Sequence, residues 1–319
     1  MAAVEAEAVA KRYGSVVAVE NLSFAVSAGE VLGVLGPNGA GKTTAIRVLT
    51  TILSPSHGTF SVAGVPHSRP ADIRRRIGVL PESAGYPEPT TGEEYLRYHA
   101  RLFGHTRGSA RAVATRLLEE VGLSERRRSL ISTYSRGMRQ RLGIARTLVN
   151  EPHVVFLDEP TLGLDPAGQR QVLATVRRIA QERGATVLLS THLLTEVEEN
   201  CSRVLILNRG RVVAEGTVSE IVRRAAAPRS GRLRVAADDA ERARTVLDAA
   251  PGVQSVEQAD GRPGHLTVVF APATNGGDAT LNEAVRALTD ADVALLSFEL
   301  EGARLSDAFL AVTDAAESR

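Results

Sequence analysis

The sequence predicts an α/β fold built on a parallel sheet, followed by a smaller α+β unit, and three observations carry that prediction. The apolar run Val31–Leu35 passes directly into the glycine-rich turn 36–44, Gly-Pro-Asn-Gly-Ala-Gly-Lys-Thr-Thr, and then into a helical pattern marked by Ile46 and Leu49. Two further nearly continuous apolar runs, Val154–Leu157 and Thr186–Ser190, flank a helical pattern over 167–182. Strands of that kind belong to a parallel sheet covered on both faces. Beyond a break at 225–231, rich in alanine with Pro228 and Gly231, the pattern becomes strand, helix, strand, strand, helix, strand.

Taken in order, residues 4–10 and 16–26 alternate apolar and polar positions around a turn at Tyr13-Gly14-Ser15, as half-buried antiparallel strands do. Residues 59–65 and 77–81 read as further short strands, and helical patterns such as Leu117, Leu118 and Val121 fill most of 92–150. Val204–Leu207 and Arg211–Ala214 form a hairpin closing at Asn208-Arg209-Gly210. In the tail, strands are expected at 232–237, 253–258, 265–271 and 292–299, with helices at 239–250 and 279–290. A last amphipathic helix carries Leu305, Ala308, Phe309 and Val312. This order is the ferredoxin-like split βαβ arrangement, and domains are expected at 1–227 and 228–319.

At 319 residues the chain is long enough for two cores, and its 43% hydrophobic content suits a soluble globular protein. Lys and Arg number 38 against 37 acidic residues, so the net charge of +1 gives no electrostatic support for nucleic acid as a partner. The single cysteine, Cys201, cannot form an internal disulfide, reads as a buried small side chain and fits a reducing compartment. The first ten residues carry glutamates where a signal peptide would carry a basic region and an apolar core. No stretch approaches the roughly 18 uninterrupted apolar residues of a spanning helix. The best, Ala185–Leu194, is broken by Ser190, Thr191 and His192, so any membrane role would need another chain to cross it.

The turn at 36–44 has the G-x-x-x-x-G-K-T spacing of the P-loop. Its glycines let several amides point at one anion, and the helix that follows adds the positive end of its dipole. Gly36, Asn38, Gly39, Gly41, Lys42, Thr43 and Thr44 are therefore expected to hold a nucleoside triphosphate. Lys42 would reach the β- and γ-phosphates, and the Thr43 hydroxyl is a hard ligand suited to Mg²⁺. Downstream, the strand Val154–Leu157 ends in Asp158 and Glu159. Asp158 is placed to hold Mg²⁺ through water, and Glu159 to polarise the water that attacks the γ-phosphate. Ser135, in Tyr134-Ser135-Arg136-Gly137-Met138, opens a helix as a natural N-cap that leads into this strand.

Together these motifs resemble the ATP-binding cassette (ABC) ATPases over roughly residues 4–220. The segment at 134–138 is similar to the family's signature loop, usually Leu-Ser-Gly-Gly-Gln. Tyr13 matches the aromatic that stacks on adenine, Leu162-Gly163-Leu164-Asp165 the loop that crosses a dimer interface, and His192 the switch histidine that contacts the γ-phosphate. The resemblance implies an antiparallel β subdomain and a helical subdomain around the P-loop core, with ATP and Mg²⁺ as ligands. It also implies a head-to-tail homodimer in which Ser135 and Gly137 of one copy complete the site of the other. Two departures stand out. Glu82 occupies the Mg²⁺-ligating position where the family usually has glutamine, and Arg136 and Met138 replace Gly and Gln of the signature. Leu80-Pro81-Glu82, the segment 90–96 and the segment 305–310 resemble exporters of the daunorubicin-resistance type. These imply a separate integral membrane permease and a peripheral place on the cytoplasmic face of the membrane. The alternative is a soluble cassette ATPase acting on ribosomes or DNA, although this chain carries neither a second cassette nor a long coiled coil.

Overall fold

The computed structural model describes residues 2–87, 89–224, 229–259, 262–271, 278–301, 305–306, 308–310 and 313. The chain divides into two compact units, Met1–Val218 and Ser219–Arg319. Part of the expected linker, 225–228, lies outside the described residues, as do Asp307 and Val312 of the expected last helix.

The first unit opens with β1 (Ala2–Tyr13) and β2 (Val16–Ser27), an antiparallel pair turning at Gly14. Then come β3 (Val31–Leu35) and α1 (Lys42–Leu49), with the glycine-rich turn between them. The strand expected over 59–65 is two strands, β4 (His57–Val62) and β5 (Val65–Pro66). Ala63 and Gly64 both take positive φ, 51° and 71°, and a turn at those angles breaks the ladder. α2 (Pro70–Arg76) leads to β6 (Ile77–Leu80). The helical stretch holds α3 (Gly92–Leu102), α4 (Arg107–Glu120) and α5 (Arg136–Thr147). The unit finishes with β7 (Val154–Asp158), α6 (Pro166–Arg183), β8 (Thr186–Thr191), α7 (Leu194–Asn200), β9 (Arg203–Asn208) and β10 (Arg211–Thr217).

Strands β2-β1-β4-β5 make an antiparallel sheet, and β10-β9-β3-β8-β7-β6 a second sheet whose inner pairs are parallel. β7 shows why the apolar run is continuous. Val155 and Leu157 enter a core shared with α3 to α6, while Val154 and Phe156 enter a core shared with α1 and the antiparallel sheet. Because β3, β7 and β8 run parallel, their C-terminal ends open on one edge, where α/β folds place their ligands.

On α3, His99 packs edge-on against Tyr95, ring centroids 4.6 Å apart. Burial, and then the Arg146 charge, push its pKa down to about 4. The unfolded chain binds this proton near pH 6.5, so stability is full above that value and is lost as pH falls towards 4. His99→Leu is expected to remove on the order of 1–2 kcal/mol of this acid sensitivity. Denaturant titrations at pH 7 and pH 4.5 would check this, and an unchanged pH slope would refute it.

The second unit carries α8 (Val218–Arg224), most of which lies within it, then β11 (Arg229–Val235), α9 (Ala240–Asp248), β12 (Val253–Gln258), β13 (His265–Phe270), α10 (Asp278–Asp290) and β14 (Leu295–Glu301). Its antiparallel sheet has the order β12-β13-β11-β14, and along the chain β11 to β14 run strand, helix, strand, strand, helix, strand. β14 starts three residues later than the expected 292, because Asp292 sits at φ 57° in the turn after α10.

Candidate active site

The edge formed by β3, β7 and β8 carries a cleft of about 460 Å³ lined by Ala18, residues 38–44, Glu82, Glu159, Leu162 and His192. The turn 36–41 can wrap tightly because of its glycines. Gly39 and Gly41 take φ of 82° and 101°, and Gly41 is the N-cap of α1, with no side chain capping the helix's first amides. At Gly36 the constraint is space, since a Cβ would stand 2.4 Å from the Leu207 carbonyl oxygen and 2.8 Å from Ala40 Cβ. Gly36→Ala is expected to destabilise the chain by about 1–3 kcal/mol, because both contacts are with parts of the packed core. Chemical denaturation would read this, and an unchanged midpoint would contradict it.

Lys42 and Glu159 are both buried, 6% and 7% exposed, and their charged ends lie 3.5 Å apart. The Lys42 ammonium also donates to the carbonyl oxygens of Gly36 at 2.7 Å and Pro37 at 3.3 Å, so its own loop holds it in place. Glu159 takes φ 47°, a costly conformation for a residue with a side chain. Its N–H is held by the backbone carbonyl and the hydroxyl of Ser190, each at 3.1 Å. The other Glu159 oxygen meets His192 Nδ1 at 2.8 Å. Asp158 accepts hydrogen bonds from Thr43 Oγ1 at 3.2 Å and Ser190 Oγ at 2.6 Å. Registers Leu35↔Thr191 and Asp158↔Ser190 bring these strand-end groups level. In the sequence Ser190 is marked only as the end of one apolar run and a break in a longer one, with no sign of a role at this site.

The residues expected to act together fall into two clefts. Asn38, Gly39, Gly41, Lys42, Thr43, Thr44, Glu82, Glu159 and His192 line the first, with Asp158 joined to it through Thr43. Ser135, Gly137 and Asp165 line a second cleft of about 380 Å³ in the same unit. There Ser135 caps α5 by accepting from Met138 N–H at 3.2 Å, and Asp165 caps α6 by accepting from Gly168 N–H at 3.2 Å. Arg136 lies against Gly163, where a Cβ would come within 2.5 Å of the guanidinium. Tyr13 is 45% exposed at the β1–β2 turn, with the Lys11 ammonium 5.4 Å from its ring centroid, and it does not line the first cleft.

Residues 19–162 match the family model described as ABC transporter. Across 98% of its length the chain is 39% identical to the daunorubicin/doxorubicin resistance ATP-binding protein DrrA of Streptomyces peucetius, 92% of which is covered. The chain belongs to the ABC transporter ATP-binding family. It is also 41% identical to the Nod factor export ATP-binding protein I of Paraburkholderia xenovorans, over 69% of this chain and 73% of that one. A solved ATP-binding subunit of an ABC transporter aligns with TM-score 0.62 at 33% identity, covering 69% of this chain and 92% of its own. A dimeric cassette in a post-hydrolysis state bound to ADP and Pi shares the fold with TM-score 0.62 at 23% identity, over 67% of this chain and 98% of its own. As an ABC ATPase, the chain binds and hydrolyses ATP. Among the described residues no helix is long and apolar enough to cross a membrane.

Proposed function

We propose that this ABC ATPase powers export through a separate integral membrane permease, and that each ATP is enclosed between two copies of the chain. The observation that carries the catalytic part is the run of contacts Lys42–Glu159–His192 beside Thr43–Asp158 at one sheet edge. In this reading the amides of 36–44 and Lys42 bind the phosphates, Glu159 takes a proton from the attacking water, and His192 orients the Glu159 carboxylate and meets the γ-phosphate. Thr43 and Asp158 are hard oxygen donors already within hydrogen-bond reach of each other, and they fit Mg²⁺. With Glu82 they would hold the ion, which neutralises phosphate charge when bound.

Tyr13 stacks on adenine in this assignment. Ser135, Gly137 and Asp165 serve the ATP of the partner copy, which accounts for their standing in a cleft apart from Lys42. The chain would sit peripherally on the cytoplasmic face of the membrane, bound to the permease, with residues 1–227 as the nucleotide-binding domain and 228–319 as an accessory domain. The names of the relatives speak of daunorubicin, doxorubicin and Nod factor export. By that likeness the cargo is a drug-like, antibiotic or lipid-like molecule. Nucleic acid has no part in this reading.

The dimer is testable without the permease. Glu159→Gln, which should trap bound ATP, is expected to run as a dimer on size exclusion with Mg-ATP and as a monomer once EDTA removes Mg²⁺. A monomer at saturating Mg-ATP would overturn the composite site. Co-purification of the wild-type chain with an integral membrane protein tests the permease.

A further inference from the structure

α7 buries a carboxylate that the mechanism above does not use. Glu196, in the first turn of that helix, is 4% exposed. Burying an ionisable group is costly unless it is matched by specific partners, so its contacts bear on what it does. One oxygen, Oε2, accepts from the Thr191 hydroxyl at 2.8 Å, and the same hydroxyl oxygen accepts from Leu193 N–H at 3.0 Å. The other oxygen, Oε1, is buried and has no hydrogen-bond partner among the described residues.

These two hydrogen bonds bracket His192. Thr191, fully buried, is the last residue of β8 and pairs in register with Leu35 of β3, so the near side of the turn is fixed by the sheet. Leu193 is the far side. One hydroxyl therefore ties both neighbours of the histidine together, and the carboxylate sets which way that hydroxyl points. A hydroxyl has a single proton, and giving it to Glu196 leaves its lone pairs to receive Leu193 N–H. The helix that carries Glu196 is itself pressed onto the sheet. A Cβ at Gly33 of β3 would stand 2.9 Å from Val197 Cγ1 and 3.1 Å from Cys201 Sγ. The helix is thus held against the core, and its carboxylate bonds to Thr191, the residue before an imidazole that reaches Glu159 at 2.8 Å.

We propose that Glu196 is a positioning residue for His192: by accepting the Thr191 hydroxyl, its buried carboxylate holds the turn that aims the imidazole at Glu159. The inference rests on the reading of Glu159 and His192 as the hydrolytic pair, and it adds a residue to the support of that pair.

The test uses the full chain and steady-state ATP hydrolysis, with single-turnover measurements for slow variants. Glu196→Ala and Thr191→Val are each expected to lower kcat by between about 10- and 100-fold, the scale of a small misplacement of a reacting group. KM for ATP should stay within about twofold, since the phosphate-binding loop is untouched. Glu196→Gln, whose amide oxygen can still accept the Thr191 proton, should keep kcat within about threefold of wild type. Thr191→Ser should do the same. In a His192→Ala background, adding Glu196→Ala should change the residual rate by less than about twofold, because residues that act as a unit are not additive.

A kcat unchanged in folded Glu196→Ala would overturn the proposal, and so would an equal loss with and without His192. Thermal denaturation of each variant identifies any that fail to fold. If Glu196→Ala is one of them, Thr191→Val and the Glu196→Gln rescue decide the matter. His192→Ala at wild-type turnover would instead refute the role given to His192, so the two failures are distinguishable.

Discussion

Replacing Glu159 with glutamine is expected to slow ATP hydrolysis by between about 10² and 10⁴ while leaving ATP binding in place. The glutamine keeps the shape of the side chain and can accept a hydrogen bond, yet it cannot take the proton of the attacking water. Binding should survive because the phosphate amides, Lys42 and Thr43 lie on a different segment, the loop after β3 and the first turn of α1. Removing the negative partner 3.5 Å from the Lys42 ammonium also leaves that cation freer to meet the phosphates. Rapid-quench measurement of phosphate release, set beside equilibrium binding of a fluorescent ATP analogue, separates the two effects. Turnover near that of the wild type would sink the assignment of Glu159 as general base.

Lys42→Ala is expected to act on the other side of this division, weakening ATP binding by about 2–4 kcal/mol, or roughly 30- to 1,000-fold in Kd. The ammonium is positioned before any nucleotide arrives, by the carbonyls of Gly36 and Pro37, so little ordering is left to be done on binding. Its loss also leaves Glu159 as a buried carboxylate without its cationic partner. A modest fall in stability should therefore accompany the loss of affinity. Lys42→Arg should not restore binding fully, because a planar fork does not fill the place of a compact ammonium that is 6% exposed. Isothermal titration with ATP checks the series. A Kd within tenfold of the wild type for Lys42→Ala would show that the loop amides do the binding alone.

The sequence made the parts legible wherever a function is written in adjacent residues. The loop 36–44 and the Asp158-Glu159 pair stand at the ends of apolar runs, so their type and spacing mark them as candidates, while His192 enters only as a member of the ordered set of motifs that resembles the ABC family. The split tail was legible for a similar reason, since its order of elements shows which way each strand must run. Less visible was whatever depends on which strand lies beside which. Ser190 bonds to Asp158 and to the backbone of Glu159, but β7 and β8 are separated in sequence by all of α6. Nothing in a run ending Leu-Leu-Ser marks that serine as a partner. The positive φ of Glu159 is hidden in the same way, because a glutamate carries no sign of a left-handed backbone. Thr191 and Glu196 are close enough in sequence to suspect, yet only the burial of both identifies the contact as structural support rather than solvent-exposed polarity.

The way β3, β7 and β8 end has a consequence for how the molecule can lose activity. Each strand is buried over nearly all its length, with only Val31 at the start of β3 half-buried, and Asp158, Glu159, Ser190 and His192 stand on the last two residues of β7 and β8 or on the residue just beyond. No flexible tether intervenes between the packed interior and Asp158, Glu159, Ser190 or His192. The site therefore cannot melt ahead of the sheet, and heat inactivation of ATP hydrolysis should coincide with the collapse of the first unit. By the same token, a remote change that slides β7 against β8 by one position would take Asp158 away from Ser190 without touching either residue. The register of the interior is in effect the ruler by which the chemistry is laid out.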